Sequence, residues 1–510
     1  MKKKISLMLA AALTAGLALT GCGGSKTSDT TDNTAGAENE STAEVKGVDV
    51  DTTGYLIAAL NADIQTADVQ KTSKDYEVPF NIFDRLVDVE VGTDGNSKIV
   101  PSLAESWDIS DDGLEYTFHL RQGVKFHNGN DFTAEDVAYT FHRMLTVEGG
   151  VNEVVDDYTI KVTLKEPFAG FLASISSPGV SIYDSEATEA AGDQFGMDPA
   201  VTVGTGPFEF SSWSFNNQLV LTRNEDYWKG ASGLPGVVIK IIPDTETQSM
   251  MFESGELDIL DLDYAADSAD RFTETYPDQI VQGPRVGIVY FTMNFNKEPF
   301  QDVRVRKAVQ MSIDRQAILD ALYGGRGQVE QGIFPHGLIG FNPDQEEIKY
   351  DPEAAKALLA EAGYADGFDM EIAADSSASD TMTMALEIVS DQLAEVGIRA
   401  EIKNYDESTW LETRKSGELG SFMSTWSADY NDPDNFIYTF FGNEEKTRIR
   451  SINYPDTEVM ERVAKARTIV NEDERLAEYK ALEEKLIHED AAWVPMFSRL
   501  HLFAVSKRVQ

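Results

Sequence analysis

The chain has one cysteine, Cys22, and it lies ahead of everything that reads as foldable. No internal disulfide is possible, so 510 residues must be held together by burial alone. The means are ample, with 42% hydrophobic residues that include 26 Phe and 18 Tyr. A chain of this length exceeds one core and predicts two or three domains. Acidic residues outnumber basic ones by 87 to 43, for a net charge of −44. The acids are spread along the chain, as on a self-repelling soluble surface. That balance excludes nucleic acid as a partner, because phosphate binding needs clustered Lys and Arg.

Cys22 closes Leu19-Thr20-Gly21-Cys22, after the positive run Lys2-Lys3-Lys4 and the uncharged stretch from Ile5 to Thr20. The stretch is short for a membrane span and small residues precede Cys22, so residues 1–21 read as a secretion signal. The pattern resembles a bacterial lipobox, in which the thiol is lipidated and the signal removed before it. Residues 22–50 then form the lipidated cysteine and a tether, since the Gly, Ser, Thr and acid of 23–47 bury too little to fold. About 25 such residues span on the order of 25–30 Å. Ordered structure is expected from near Asp51. The only membrane contact expected is the lipid anchor, on the outer face of the cell membrane.

Strand and helix signals recur in both halves. Val89 to Gly95 ends in an Asp-Gly hairpin signal, and Tyr116 to Leu120 and Thr159 to Leu164 read as strands. Thr133 caps a helix to Leu145, with Asp136 three residues on. Asp302 caps another through Ile313, placing Val303, Val305 and Ala308 inward and Arg304, Arg306 and Lys307 at the surface. Asp351-Pro352-Glu353 opens a helix that Gly363 ends, and Thr381 to Val396 closes on Gly397. Thr457 to His488 is one long amphipathic segment. The fold class is therefore α/β, or α+β with mixed sheets.

Catalytic chemistry is missing from the sequence. The six histidines are scattered, with no HExxH and no cysteine partner, so no metal site is expected. Asp108 to Gly113 hints at a calcium loop but would place His119 where Glu is needed, so it reads as a turn. Gly204-Thr205-Gly206-Pro207 lacks the Lys of a phosphate loop and reads as a tight connection into strand Phe208 to Phe210. No nucleophile, base and oxyanion site assembles, so neither an enzyme nor a cofactor is expected.

Four segments in order carry a resemblance. They are Pro101 to Trp107 running into Tyr116 to Gly129 and Thr133 to Val137; Gly204 to Phe208 followed by Asn224-Glu225-Asp226-Tyr227-Trp228; Met293 to Asn296 through Asp302 to Ala308 and Ile313-Asp314-Arg315; and Trp426 to Phe436. Together the chain resembles the peptide- and nickel-binding substrate-binding proteins of ABC importers, solute-binding family 5. The resemblance implies a two-lobed periplasmic-binding-protein-like fold of the large peptide-binding class, with an extra subdomain. Lobe I would be 51–284, with the inserted subdomain at about 80–199. Lobe II would be 285–489, and 490–510 would return to lobe I. It also implies some further residues beyond the position of Gln510.

The resemblance further implies a ligand held between the lobes. Asp429 in the W-x-x-D motif would pair with a ligand ammonium, and Trp426, Ser427 and Ala428 would offer main-chain bonds to an extended peptide. Ser73 and Asp75 fall where relatives present a facing segment from lobe I, and Tyr290 falls just past the hinge. A turn aspartate, a core tryptophan, an ordinary loop and a sheet tyrosine are the plainer readings of the same residues. Dipeptide-specific relatives carry an arginine for the ligand carboxylate where Ala373 to Asp380 has no basic residue. This favours longer peptides over dipeptides, and no histidine near Asp429 suits a nickel chelate. Arg285, Lys403 and Arg414 are the candidate carboxylate partners. The expected function is capture of oligopeptides by a monomer for an ABC permease and ATPase complex. A peptide-signal receptor, or a receptor for dipeptide or nickel chelate, is the alternative.

Overall fold

Many of the helices begin where the sequence supplies a side-chain acceptor. The computed structural model describes residues 45–48, 50–72, 76–92, 96–144, 150–263 and 265–509, all within a single compact unit. Thr133 and Asp136 form a reciprocal capping box at Ala134–Arg143. Asp302 accepts from the Arg304 amide at the start of Val303–Ser312. Asp351 and Asp432 open the proline-started helices Pro352–Glu361 and Pro433–Phe441. The amphipathic segment that ends at His488 divides: Asn471 accepts from the Glu474 amide and restarts the helix, giving Thr457–Ala466 and Glu472–Glu484.

Two of the sheets organise the chain. In the first, Val45–Gly47, Phe208–Ser214, Gln218–Arg223, Gly236–Ile241 and Leu56–Leu60 lie in that order, the last pair parallel. Val45–Gly47 corrects the expected start at Asp51. Composition marks what cannot build a core, yet an edge strand needs only backbone partners, here Ser212 to Ser214. In the second, Phe422–Ser427 and Gly287–Thr292 pair antiparallel, and Trp493–Val505 continues the sheet. That last strand reaches both parts of the chain. Its start pairs with Gly287–Thr292 and its end with Ile259–Asp261 and Ile280–Pro284. A four-stranded antiparallel sheet from Ala104 to Thr163 packs on a core cluster of its own. Strands Val87–Val91 and Ser97–Pro101 pair as the hairpin signal requires, while the Asp94-Gly95 turn itself lies outside the described residues.

All six residues of Gly287–Thr292 are buried, because the sheet has apolar cover on both faces. Tyr290 and Ile288 pack with Phe440, Phe441 and Trp493 on one side, and Val289 and Phe291 with Val309, Leu319 and Phe497 on the other. Arg306 departs from the expected surface position. It is 4% exposed and donates to the carbonyls of Asp490, Phe300 and Gln301, so a buried guanidinium staples three segments.

The Gly204-Thr205-Gly206-Pro207 connection is fixed by close approach. A Cβ on Gly204 would meet the Ile82 carbonyl oxygen at 1.9 Å. Burial pushes the His127 imidazole down to about 4. The neutral ring accepts from the Gly204 amide at Nδ1 (3.2 Å) and donates from Nε2 to the Gly206 carbonyl (3.0 Å). Among the described residues no helix is long and apolar enough to cross a membrane.

Candidate functional site

The end of strand Phe422–Ser427 is where the sequence-selected residues meet. Antiparallel pairing sets Trp426 opposite Ile288 and Ser427 opposite Gly287, and the Ala428 amide extends the ladder to the Val286 carbonyl at 2.9 Å. Beyond it the chain turns through Asp429 to Asn431 into the helix capped by Asp432. Trp426 and Ala428 are half-buried, and Ser427 and Asp429 are exposed.

Asn435, one turn into that helix, holds the arrangement. Its Oδ1 accepts from the Trp426 indole (3.1 Å) and the Asp429 amide (3.1 Å), and its Nδ2 donates to Asp429 Oδ2 (3.2 Å). The Asp429 carboxylate is thus oriented by a neutral amide, with no Lys or Arg in ion-pair distance among the described residues. An oriented, uncompensated carboxylate at a strand end can accept strong hydrogen bonds from an external cation.

The loop carrying Asp429 is pinned from below. Asp432 receives both bonds of a buried pair from Arg475 Nη1, at 2.9 and 2.8 Å. The Tyr430 hydroxyl donates to Asp434 Oδ2 at 2.9 Å, and its ring meets Phe168 edge-on at 6.0 Å. Burial pushes the Asp434 carboxyl up to about 6, against the pull of Arg467. Asn431 accepts from the Ile339 amide and donates to the Gly337 carbonyl, to which Ser97 Oγ also donates at 2.6 Å. A cavity of about 50 Å³ opens where Arg285, Trp426, Ser427 and Arg499 converge. A larger concavity lies against helix Ala134–Arg143 and shares no residue with Asp429 or its partners.

Tyr290 corrects the expected set. Its ring packs against Trp493 (4.6 Å) and Phe440 (5.3 Å), it is 2% exposed, and its hydroxyl bonds to Ser424. The strand is covered on both faces, so this residue is core rather than cleft lining. Ser73, Asp75 and Cys22 lie outside the described residues. Lys403 is committed to Glu371 at 3.3 Å. Asn435 is the residue that sequence reasoning missed, although it stood inside the Trp426 to Phe436 segment.

Comparison with known proteins gives four findings. The family model described as bacterial extracellular solute-binding proteins, family 5 middle, matches residues 98–448. Heme-binding protein A of Haemophilus influenzae is 32% identical over 547 residues, covering 100% of this chain and 96% of the relative. The dipeptide-binding protein of Escherichia coli is 31% identical, over 71% of this chain and 73% of its own length. Among solved structures, the ABC transporter-associated periplasmic binding protein DppA of Helicobacter pylori in complex with peptide STSA superposes with a TM-score of 0.65 at 29% identity. That match covers 89% of this chain and 94% of the other.

Proposed function

The chain belongs to the bacterial extracellular solute-binding proteins of family 5, and from that premise we propose that it is a lipid-anchored receptor that binds oligopeptides through Asp429. It is a two-lobed binding protein that works outside the cytoplasm, and not an enzyme. In the proposed cycle the lobes, 51–284 with its insertion and 285–489, close on a peptide, and an ABC permease accepts the closed form. Cys22 holds the receptor at the membrane. Its replacement by Ser should shift the protein from the membrane to the soluble fraction.

One observation carries the peptide reading: the Asp429 carboxylate, aimed by Asn435 and without a Lys or Arg in ion-pair distance, at the end of strand Phe422–Ser427, which is last in its sheet. A ligand ammonium supplies the missing cation. A ligand without one leaves the carboxylate unpaired as the site closes, which costs affinity. Relatives whose names specify dipeptide and peptide binding support this choice.

The test is a melting series on the purified protein after denaturation and refolding to remove carried ligand. Peptides of two to eight residues are added with free or acetylated N-termini, with hemin and nickel alongside. Free-amine peptides should raise the melting temperature, by the linkage of ligand to the folded state. Acetylation should abolish the shift. If acetylated peptides stabilise equally, the Asp429 role is wrong; stabilisation by hemin or nickel alone overturns the peptide reading.

A further inference from the structure

The turn that carries Asp429 and its supports is touched from far back in the chain. Phe168 meets the Tyr430 ring edge-on at 6.0 Å, and Tyr430 packs on the core cluster of the four-stranded sheet. The Ala169 amide donates to the Arg467 carbonyl at 2.8 Å. Arg467, which ends helix Thr457–Ala466, lays its guanidinium over Phe168 at 5.0 Å and over Tyr438 at 4.0 Å. On the other side of the turn, Ser97 Oγ donates to the Gly337 carbonyl that Asn431 also holds.

The seat is close-fitting. A Cβ on Gly170 would stand 3.4 Å from Asp432 Cγ, and one on Gly113 would stand 2.7 Å from Val470 Cγ2. The Tyr116 hydroxyl donates to the Phe168 carbonyl at 3.1 Å, which ties loop 167–170 to the four-stranded sheet. The turn is already held locally, with Asn435 orienting the Asp429 carboxylate and Arg475 pairing with Asp432. The distant contacts therefore add something other than local order.

Ser97, Phe168 and Ala169 belong to the first lobe as proposed, and Gly337, Tyr430 and Arg467 to the second. Opening the cleft must break these contacts or drag the four-stranded sheet along with the second lobe. The hydrogen bonds join backbone and hydroxyl groups that water satisfies once they part, so each is weak in net terms. The ring pair and the cation over a ring are modest as well. Contacts of this kind hold two lobes together without locking them, and a ligand can then shift the balance.

We infer that loop 167–170 and Ser97 form a latch that shuts the lobes over the Asp429 turn and sets how much of the ligand-free receptor is closed. The inference rests on the lobe boundaries and the Asp429 site proposed above, and it gives the inserted subdomain a part in binding without contact to the ligand. Tyr430 is the point of capture, since it follows Asp429 directly and its hydroxyl is fixed to Asp434 Oδ2 at 2.9 Å. Losing the latch lowers the closed fraction, and apparent affinity falls with that fraction.

The experiment measures small-angle scattering of ligand-stripped wild type, Phe168→Ala, Phe168→Leu and Ser97→Ala, then titrates each by calorimetry with the tightest peptide of the melting series. Phe168→Ala should raise the ligand-free radius of gyration and weaken the peptide about 10-fold. Saturating peptide should restore the wild-type radius. Phe168→Leu keeps apolar volume in the core cluster and loses the ring contact, so it should lie between. Ser97→Ala removes only a hydroxyl and should move both readouts the same way, by about 3-fold in affinity. Equal ligand-free radii in wild type, Phe168→Ala and Ser97→Ala overturn the latch even if the variants melt lower, because a contact that only stabilises the fold leaves the lobe angle unchanged. If Phe168→Ala does not fold, Ser97→Ala decides alone. If no peptide binds any form, the peptide reading falls while the ligand-free radii still decide the latch.

Discussion

Asp432→Ala is expected to destabilise the protein by about 3–5 kcal/mol, the cost of leaving one member of a buried ion pair alone. The side chains of Arg475 and Asp432 are 6% and 1% exposed, and the carboxylate takes two bonds from Nη1. The same carboxylate caps Pro433–Phe441 through the Asp434 amide at 2.9 Å, a contact worth about 1 kcal/mol by itself. Asp432→Asn keeps the cap and loses the charge, so it should fall between wild type and the alanine variant. Replacing both partners by apolar residues, Asp432→Leu with Arg475→Met, should be less harmful than Asp432→Ala alone, because no charge is stranded. Urea midpoints at constant slope read all three differences. Binding should suffer too, since Asp432 anchors the loop that presents Asp429 three residues earlier. An alanine variant within 1 kcal/mol of wild type, as a surface pair would give, would refute the anchoring role.

Local chemistry made much of this legible. The N-caps named from the sequence at Asp302 and Asp351 accept the helix amide that their residue type suits, and Thr133 and Asp136 form the capping box that their spacing suits. The family followed from four motifs in order. What failed to show depends on distant partners. Arg306 is buried because the carbonyl of Asp490 lies beside it, 184 residues on, and no periodicity announces that. Trp493–Val505 reaches both parts of the chain only because Val289 pairs with Phe497 and Pro284 with Leu500. Tyr290 lies on a strand with no polar alternation, so its sequence offered no side to choose. Asn435 and Arg450 converge on Trp426 from a helix and from the segment after another, and only the tertiary fold makes them neighbours.

Raising the pH from about 4.5 to about 8 is expected to remove stability through Glu483. This carboxyl is 1% exposed at the end of Glu472–Glu484. Its Oε1 accepts from the Phe334 amide at 2.8 Å and Oε2 has no partner. Burial pushes its pKa up to about 8, the Phe334 and Ile333 amides pull it down, and Glu330 and Glu484 push it further up. The unfolded chain releases the same proton near the ordinary glutamate value, about 4.3. Between those limits the native state therefore binds the extra proton, and stability must fall as pH rises. The contribution is fully present below about 4.5 and lost once pH passes about 8, on the order of 5 kcal/mol at most. Glu483→Gln keeps an acceptor for the Phe334 amide and cannot ionise. It should match wild type near pH 5, exceed it in urea midpoint at pH 8 to 9, and flatten the slope between. An unchanged slope would place the titration elsewhere, at Asp434 first, whose buried carboxyl is raised to about 6 and would lose its share at lower pH.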